Sequence, residues 1–123
     1  MASADKSYSL RRLFTAFMAK DRKTAENLLA DDFTFTSQYD DHIDRAAYFE
    51  RCWPNSGHVS SQVLEKIFVE GDEAFVLYKS ITDDGKEFRN TEFFTFVGDK
   101  IRSVDVYFGA SYKNGAFVKE AID

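Results

Sequence analysis

The second half of the chain carries three turn signals set between strand-like runs, and these constrain the fold more than any other feature. Gly71-Asp72 and Gly98-Asp99 each read as two-residue hairpin loops, and Asp83-Asp84-Gly85-Lys86 as a four-residue one. Strands are therefore expected at about 60–70, 73–82, 87–97 and 100–109, joined as an antiparallel meander. The first half has a different period. Leu10, Leu13, Phe14, Phe17 and Met18 recur at the three-and-four spacing of one helix face, with Ser7 or Ser9 available as N-cap. Asp21 caps a shorter helix carrying Ala25, Leu28 and Leu29, which is expected to end at Asp31-Asp32. A strand follows over Phe33–Gln38. Asp44 then opens a third helix that places Ala46, Phe49, Cys52 and Trp53 on one side and stops at Pro54. Residues 112–123 hold few apolar anchors and read as a flap or a frayed end. Helices first and a curved antiparallel sheet after them give an α+β fold in one domain, with the helices packed on one sheet face.

Within the meander, the segment FRNTEFFTFV (Phe88–Val97) places a carboxylate in an aromatic strand. In a regular strand Phe88, Asn90, Glu92, Phe94 and Phe96 share a face, so Glu92 stands among aromatics that suggest a lined pocket. An acid on such a face must be paired, neutralised or hydrated. The register leaves two arrangements open. A strict Gly98-Asp99 turn sets Glu92 opposite Asp105 as a pair of carboxylates. The apolar residues Ile101, Val104, Val106 and Phe108 change parity, however, and a bulge at Arg102-Ser103 would explain that. The bulge, which is the favoured reading, turns Asp105 away and brings Val104, Val106 and Phe108 beside Glu92. A structural role for Glu92 is the competing expectation, with Lys79 lying diagonally across the hairpin as its partner.

Composition excludes several functions. A net charge of −5 and only 16 Lys and Arg argue against nucleic acid or an anionic membrane surface as partner. The N-terminal residues lack the unbroken apolar core of a signal peptide, no run approaches membrane-spanning length, and the single Cys52 forms no internal disulfide, so a cytoplasmic protein is expected. Cys52 lies between Phe49 and Trp53 and reads as a buried thiol. Two histidines are too few for a metal site, no phosphate-cradling glycine loop is present, and no cofactor is expected. His42, in the loop YDDHID, stands where Asp40 or Asp41 would poise it as a general base, although such loops are more often solvated turns. His58 reads as exposed. Tyr39, Tyr78 and Tyr107 are candidate hydrogen-bond donors to a ligand oxygen, with packing or dimer contact the default for the last two.

Three stretches, AKDRKTAENLLADDFTF (Ala19–Phe35), DDHIDRAAYFERCWP (Asp40–Pro54) and RNTEFFTFVGDKIRSVDVYFG (Arg89–Gly109), resemble the SnoaL-like family of the nuclear-transport-factor-like superfamily. That superfamily includes ketosteroid isomerase, polyketide cyclases and limonene epoxide hydrolase. The resemblance implies a cone-shaped α+β barrel with a pocket between sheet and helices. It also implies a homodimer through the outer sheet face, where Val63, Ile67, Val69, Val76, Phe93 and Val97 would be the apolar positions. Compared with ketosteroid isomerase, Ser37 stands at the position of the general base and Leu13 at that of the oxyanion-hole tyrosine. Only Glu92 resembles a functional counterpart, the protonated oxyanion-hole aspartate. The Asp-Arg-Asp set of the epoxide hydrolase has no match.

The resulting expectation is a small-molecule pocket protein acting on, or binding, an apolar carbonyl compound. Glu92 would be the proton or hydrogen-bond donor, with Asp41 or His42 as acceptor at the mouth. Phe17, Phe35, Ser37, Tyr39, Trp53, Asn90, Phe94, Val106 and Phe108 would line the cavity. The alternative is a non-catalytic ligand-binding or dimeric interaction module.

Overall fold

The computed structural model describes residues 3–119, and three helices and seven strands account for most of them. Helix α1 (Ser3–Ala19) starts earlier than expected, so neither Ser7 nor Ser9 caps it; Ser9 is buried within it instead. Leu10, Leu13 and Phe14 are buried as the periodicity requires, while Phe17 and Met18 are half-buried. The chain turns at Lys20, whose φ of 58° is left-handed, and Asp21 N–H returns to the Ala16 carbonyl at 2.8 Å. Helix α2 (Arg22–Leu28) is capped by Asp21, whose carboxylate accepts from Thr24 N–H.

Strand β1 (Leu29–Thr36) begins directly at the end of α2, four residues before the expected Phe33, and stops before Ser37 and Gln38. Leu29, Ala30 and Phe33 are buried along it. Asp31 and Asp32 therefore lie on a strand rather than at a helix end. Their exposure kept the alternation from being visible in the sequence, because the strand starts inside the apolar run that closes the helix. A two-residue strand, β2 (Ile43–Asp44), pairs back on β1. Helix α3 (Arg45–Arg51) is capped as expected by Asp44, which accepts from Ala47 N–H at 2.9 Å. Its buried face is Tyr48 and Phe49, with Cys52 partly buried; Ala46 faces solvent, so the expected face was rotated by part of a turn. A short 3₁₀ turn, Trp53–His58, leads into the sheet, and the His58 side chain is exposed.

The meander forms as read, from β3 (Val59–Glu70), β4 (Glu73–Thr82), β5 (Glu87–Val97) and β6 (Lys100–Lys113). The sheet is nevertheless mixed, because β1 adds parallel to β6, giving the order β2-β1-β6-β5-β4-β3. Strand β6 runs past Phe108 and turns at Asn114-Gly115 into β7 (Ala116–Val118), which pairs with it. Most of the expected flap is thus a hairpin; residues 120–123 lie outside the described residues.

Two register shifts separate β5 from β6, between Thr95 and Phe96 and between Phe88 and Asn90. At the first, Phe96 pairs with Ile101 and Thr95 with Ser103, which leaves Arg102 as the extra residue. The bulge is where the parity change required it, and Glu92 consequently pairs with Val106 while Asp105 pairs with Phe93 on the outer face.

One hydrophobic cluster joins α1, α2 and α3 to the inner sheet face. Phe33, Phe94, Leu10, Ile101 and Val76 are its largest fully buried side chains. Lys6, also buried, ties α1 to the β3–β4 turn, donating to the Gly71 carbonyl and lying 3.1 Å from Asp72 Oδ1. Val76, Ile67 and Val69 belong to this inner side, which corrects their expected outer placement: Ile67, Val76, Glu92 and Val106 form one cross-strand row. The outer face carries Val63, Phe68, Phe75 and Tyr107, all exposed, and the Phe75 and Phe93 rings meet at a tilt with centroids 4.8 Å apart.

Candidate functional site

The inner sheet face is filled at one end and hollow at the other, and Glu92 stands at the boundary. Toward the Gly98-Asp99 turn, Phe94 and Phe96 are buried under α1, with the Phe14 ring 6.3 Å from that of Phe94. Toward the other end, Tyr78, Ser80, Phe88 and Asn90 line a cavity of about 430 Å³ with Glu92. That volume lies in the roughly 300–1,000 Å³ range of small-molecule sites. Helix α1 contributes Leu13, Phe14 and Phe17 as the roof, and α3 contributes Tyr48 and Arg51.

Glu92 is held by a chain of oriented hydrogen bonds. Gly109 N–H donates to Asn90 Oδ1 at 3.3 Å, which fixes the amide so that Nδ2 donates to Tyr78 Oη at 3.1 Å. With its oxygen accepting from Asn90, the Tyr78 hydroxyl donates to Glu92 Oε2 at 2.5 Å. The second register shift places Gly109 there. A Cβ at that position would stand 2.1 Å from the Arg89 carbonyl oxygen, so the backbone can come this close only with glycine. Glu92 Oε1 has no hydrogen-bond partner among the described residues.

Burial lifts the Glu92 carboxyl to about 7, against the opposing pull of the Tyr78 hydrogen bond. The same burial, reinforced by the Glu92 charge, pushes the Tyr78 and Tyr48 hydroxyls far up, so both stay protonated donors. The expected ion pair with Lys79 does not form. Lys79 points from the opposite sheet face and lies 3.5 Å from Glu87.

Of the residues expected to line the cavity, Phe17, Phe35, Ser37, Tyr39, Asn90, Glu92, Val106 and Phe108 do so. Phe94 and Trp53 do not. Phe94 is fully buried at the filled end, and Trp53 packs behind Phe17, ring centroids 5.7 Å apart, rather than lidding the cavity. Asp41 and His42 also lie outside the lining. In the tight loop after β1, Ser37 N–H bonds the Asp40 carbonyl, His42 N–H bonds Thr36 Oγ1, and His42 takes a φ of 53°. This turn aims Asp40 at the cavity and leaves Asp41 and His42 paired with each other at 2.5 Å, both exposed. The acid at the mouth is thus Asp40, 2.9 Å from Arg51 Nη1.

Sequence reasoning missed Tyr48, Asp40, Gln62 and Ser80 as cavity residues and gave packing as the default for Tyr78. Counting back from the expected four-residue loop sets Tyr78 opposite Thr91; only the observed register, with Ile81 opposite Glu87, brings it opposite Asn90, next to Glu92. Cys52 does line the cavity, but burial and the neighbouring Asp40 push its thiol up to about 11, which leaves it a poor nucleophile. Among the described residues no cluster of three His, Cys, Asp or Glu side chains converges on a metal-sized site, and no helix is long and apolar enough to cross a membrane.

A family model described as the SnoaL-like domain matches residues 10–104. No protein of curated function matches the chain. Among solved structures, a Kribbella flavida protein that carries the provisional name ketosteroid isomerase is similar at 16% identity, covering 89% of this chain and 82% of its own, with a TM-score of 0.77. An NTF2-like protein of unknown function from Cytophaga hutchinsonii is similar at 21% identity over 84% of this chain and 88% of its own, with a TM-score of 0.68. A de novo designed protein with a curved β-sheet reaches 0.76 at 12% identity, covering 86% of each chain. At these identities the likeness concerns the fold.

Proposed function

Because the chain belongs to the SnoaL-like domain family, with its catalytic group to be sought in its own cavity, we propose that it binds a small apolar carbonyl compound there and activates it through Glu92. The observation that carries this reading is the divided carboxyl. Oε2 is occupied by Tyr78, so when Glu92 is protonated its proton resides on Oε1, the oxygen left for a ligand. A carboxyl titrating near 7 is populated in both forms at neutral pH, so it can donate to a carbonyl oxygen and later recover the proton. That suits cofactor-independent isomerase, cyclase or lyase chemistry, in which charge develops on a substrate oxygen against a preset donor. Asp40 replaces Asp41 and His42 as the acceptor at the mouth, because only Asp40 faces the cavity.

A second reading, a non-catalytic ligand-binding or dimeric interaction module, is favoured by one observation: Asp40 is held by Arg51 rather than free to act as a base. Proton exchange separates the two. Incubating the protein with a cyclic ketone in deuterated water and following exchange at the α-carbon by NMR should show catalysed exchange that Glu92→Gln abolishes. Saturable binding without exchange supports the second reading, and no binding defeats the first and leaves only the dimeric interaction module of the second.

Homodimerisation through the outer sheet face is part of the proposal. Phe68, Phe75 and Tyr107 are exposed there beside Phe93, and a second copy of the same face would cover them. Sedimentation should give a dimer that Phe75→Glu converts to monomer; a monomeric wild-type chain would sink this element. A cytoplasmic location accords with the single unpaired cysteine.

A further inference from the structure

The cavity has a second polar station, remote from Glu92. Gln62 on β3 pairs with Ser80 on β4, which pairs with Phe88 on β5. All three line the cavity. Ser80 is fully buried, and its Oγ accepts from Gln62 Nε2 at a long 3.4 Å. Gln62 Oε1 is buried and has no hydrogen-bond partner among the described residues. An unmet buried amide oxygen costs about 1–3 kcal/mol, and nothing in the packing of the sheet calls for a glutamine there, since the apolar neighbours Val59 and Leu64 serve the same face. The amide is the terminal group of a side chain whose last torsion is broad, so a rotation suffices to turn it to the lumen.

We propose that Gln62 and Ser80 receive a hydroxyl group at the far end of the ligand, so that the cavity selects hydroxy-carbonyl compounds with an apolar middle. This rests on the reading of Glu92 as the carbonyl-binding group. A hydroxyl fits better than a second carbonyl. Ser80 can donate or accept, the Gln62 amide can turn over to match it, and a hydroxyl, which does both, satisfies whichever amide atom is left. The span follows from the sheet. Gln62 lies two strands away from Glu92 and four residues along, which is about 10 Å across and about 13 Å lengthwise between backbones, less the reach of two side chains over a concave face. Between the stations the one polar side chain of the β5 row is Asn90, whose amide is committed to Tyr78 and Gly109, and Leu13, Phe17 and the Tyr78 ring give the lining its apolar surface. The ligand is thus an elongated molecule with one oxygen at each end.

The test uses alkan-2-ones from hexan-2-one to dodecan-2-one and their ω-hydroxy counterparts, titrated calorimetrically into the full chain. At the chain length that bridges the stations, the ω-hydroxyl should raise affinity about fivefold over the parent ketone. In Gln62→Met, which keeps the volume, that gain should disappear, so that ketone and ω-hydroxyketone of the bridging length bind the variant about equally. If no length gains from the hydroxyl in the wild-type protein, or if the gain survives in Gln62→Met, the second station is refuted, and the wild-type series decides even where the variant folds poorly. The Glu92 reading fails differently, through parent ketones that do not bind or that bind a folded Glu92→Leu variant as well as wild type; that result also overturns the inference built on it.

Discussion

The Tyr78 hydroxyl donates to Glu92 Oε2 across 2.5 Å, and its own oxygen is occupied by the Asn90 amide. The tyrosine therefore has one orientation, and the carboxyl it touches has one oxygen left over. Both residues come from neighbouring strands of a single hairpin, so the arrangement is set by strand pairing rather than by loops.

Glu92 makes stability depend on pH in the sense opposite to an ordinary surface carboxylate. Its folded value of about 7 lies above the reference of 4.5, so between these the native state binds more protons than the unfolded chain. The stabilising effect is complete below about pH 4.5 and is lost as the pH rises through 7. Denaturant unfolding at pH 5 and pH 8 should show a loss of about 1–3 kcal/mol that Glu92→Gln largely removes. An identical pH profile in the variant would contradict the assignment.

Tyr78→Phe deletes the donor that holds the Glu92 value down and leaves Asn90 without its acceptor. The carboxyl should titrate higher than in wild type, and stability should fall by about 1–2 kcal/mol. Carboxyl carbon chemical shifts against pH provide the check. A Glu92 value that stays put or drops would mean that the tyrosine does not set it.

Gly109 is required by space, and Gly71 and Gly98 by conformation. Gly109→Ala drives a Cβ against the Arg89 carbonyl at 2.1 Å, so β5 and β6 must part at the point where Asn90 is anchored; a cost of about 2–4 kcal/mol is expected. Gly71 and Gly98 have open surroundings but φ of +57° and +59°, so alanine there should cost only about 1 kcal/mol. Equal thermal shifts for the three variants would be inconsistent with this distinction.

His42→Ala and Asp41→Ala should leave ketone affinity within about twofold of wild type, since both side chains are exposed outside the cavity. Asp40→Ala, which removes the carboxylate that lines the mouth beside Arg51, should change it by more. Isothermal titration with one alkan-2-one decides the matter. A tenfold loss in His42→Ala would return the histidine to the site.

These predictions draw unevenly on what the sequence already contained. The three turns, the Asp21 and Asp44 caps and the bulge at Arg102 were legible because each is a local conflict or a local signal: a glycine where φ is positive, a short acid before a helical period, an apolar pattern that changes parity. Glu92 was legible for the same reason, as a charge on an apolar strand face. Asp41 and His42 misled because residue type alone favoured them, whereas a backbone turn at Thr36–His42 selects Asp40. Trp53 and Phe94 misled because sharing a face does not reveal whether that face is hollow or filled.

The sequence by itself determined the order of helices and strands, the pairing of the meander and the side of the sheet on which Glu92 stands, since these follow from periodicity and turn chemistry over a few residues. Only the tertiary structure decided where α1 lies across the sheet. That placement makes Phe94 core and leaves Tyr78, Gln62 and Ser80 facing a void, and it joins β1 to β6 in parallel. Such outcomes depend on volumes brought together from residues far apart in the chain, and no local pattern encodes how much of a concave face its covering helices will fill.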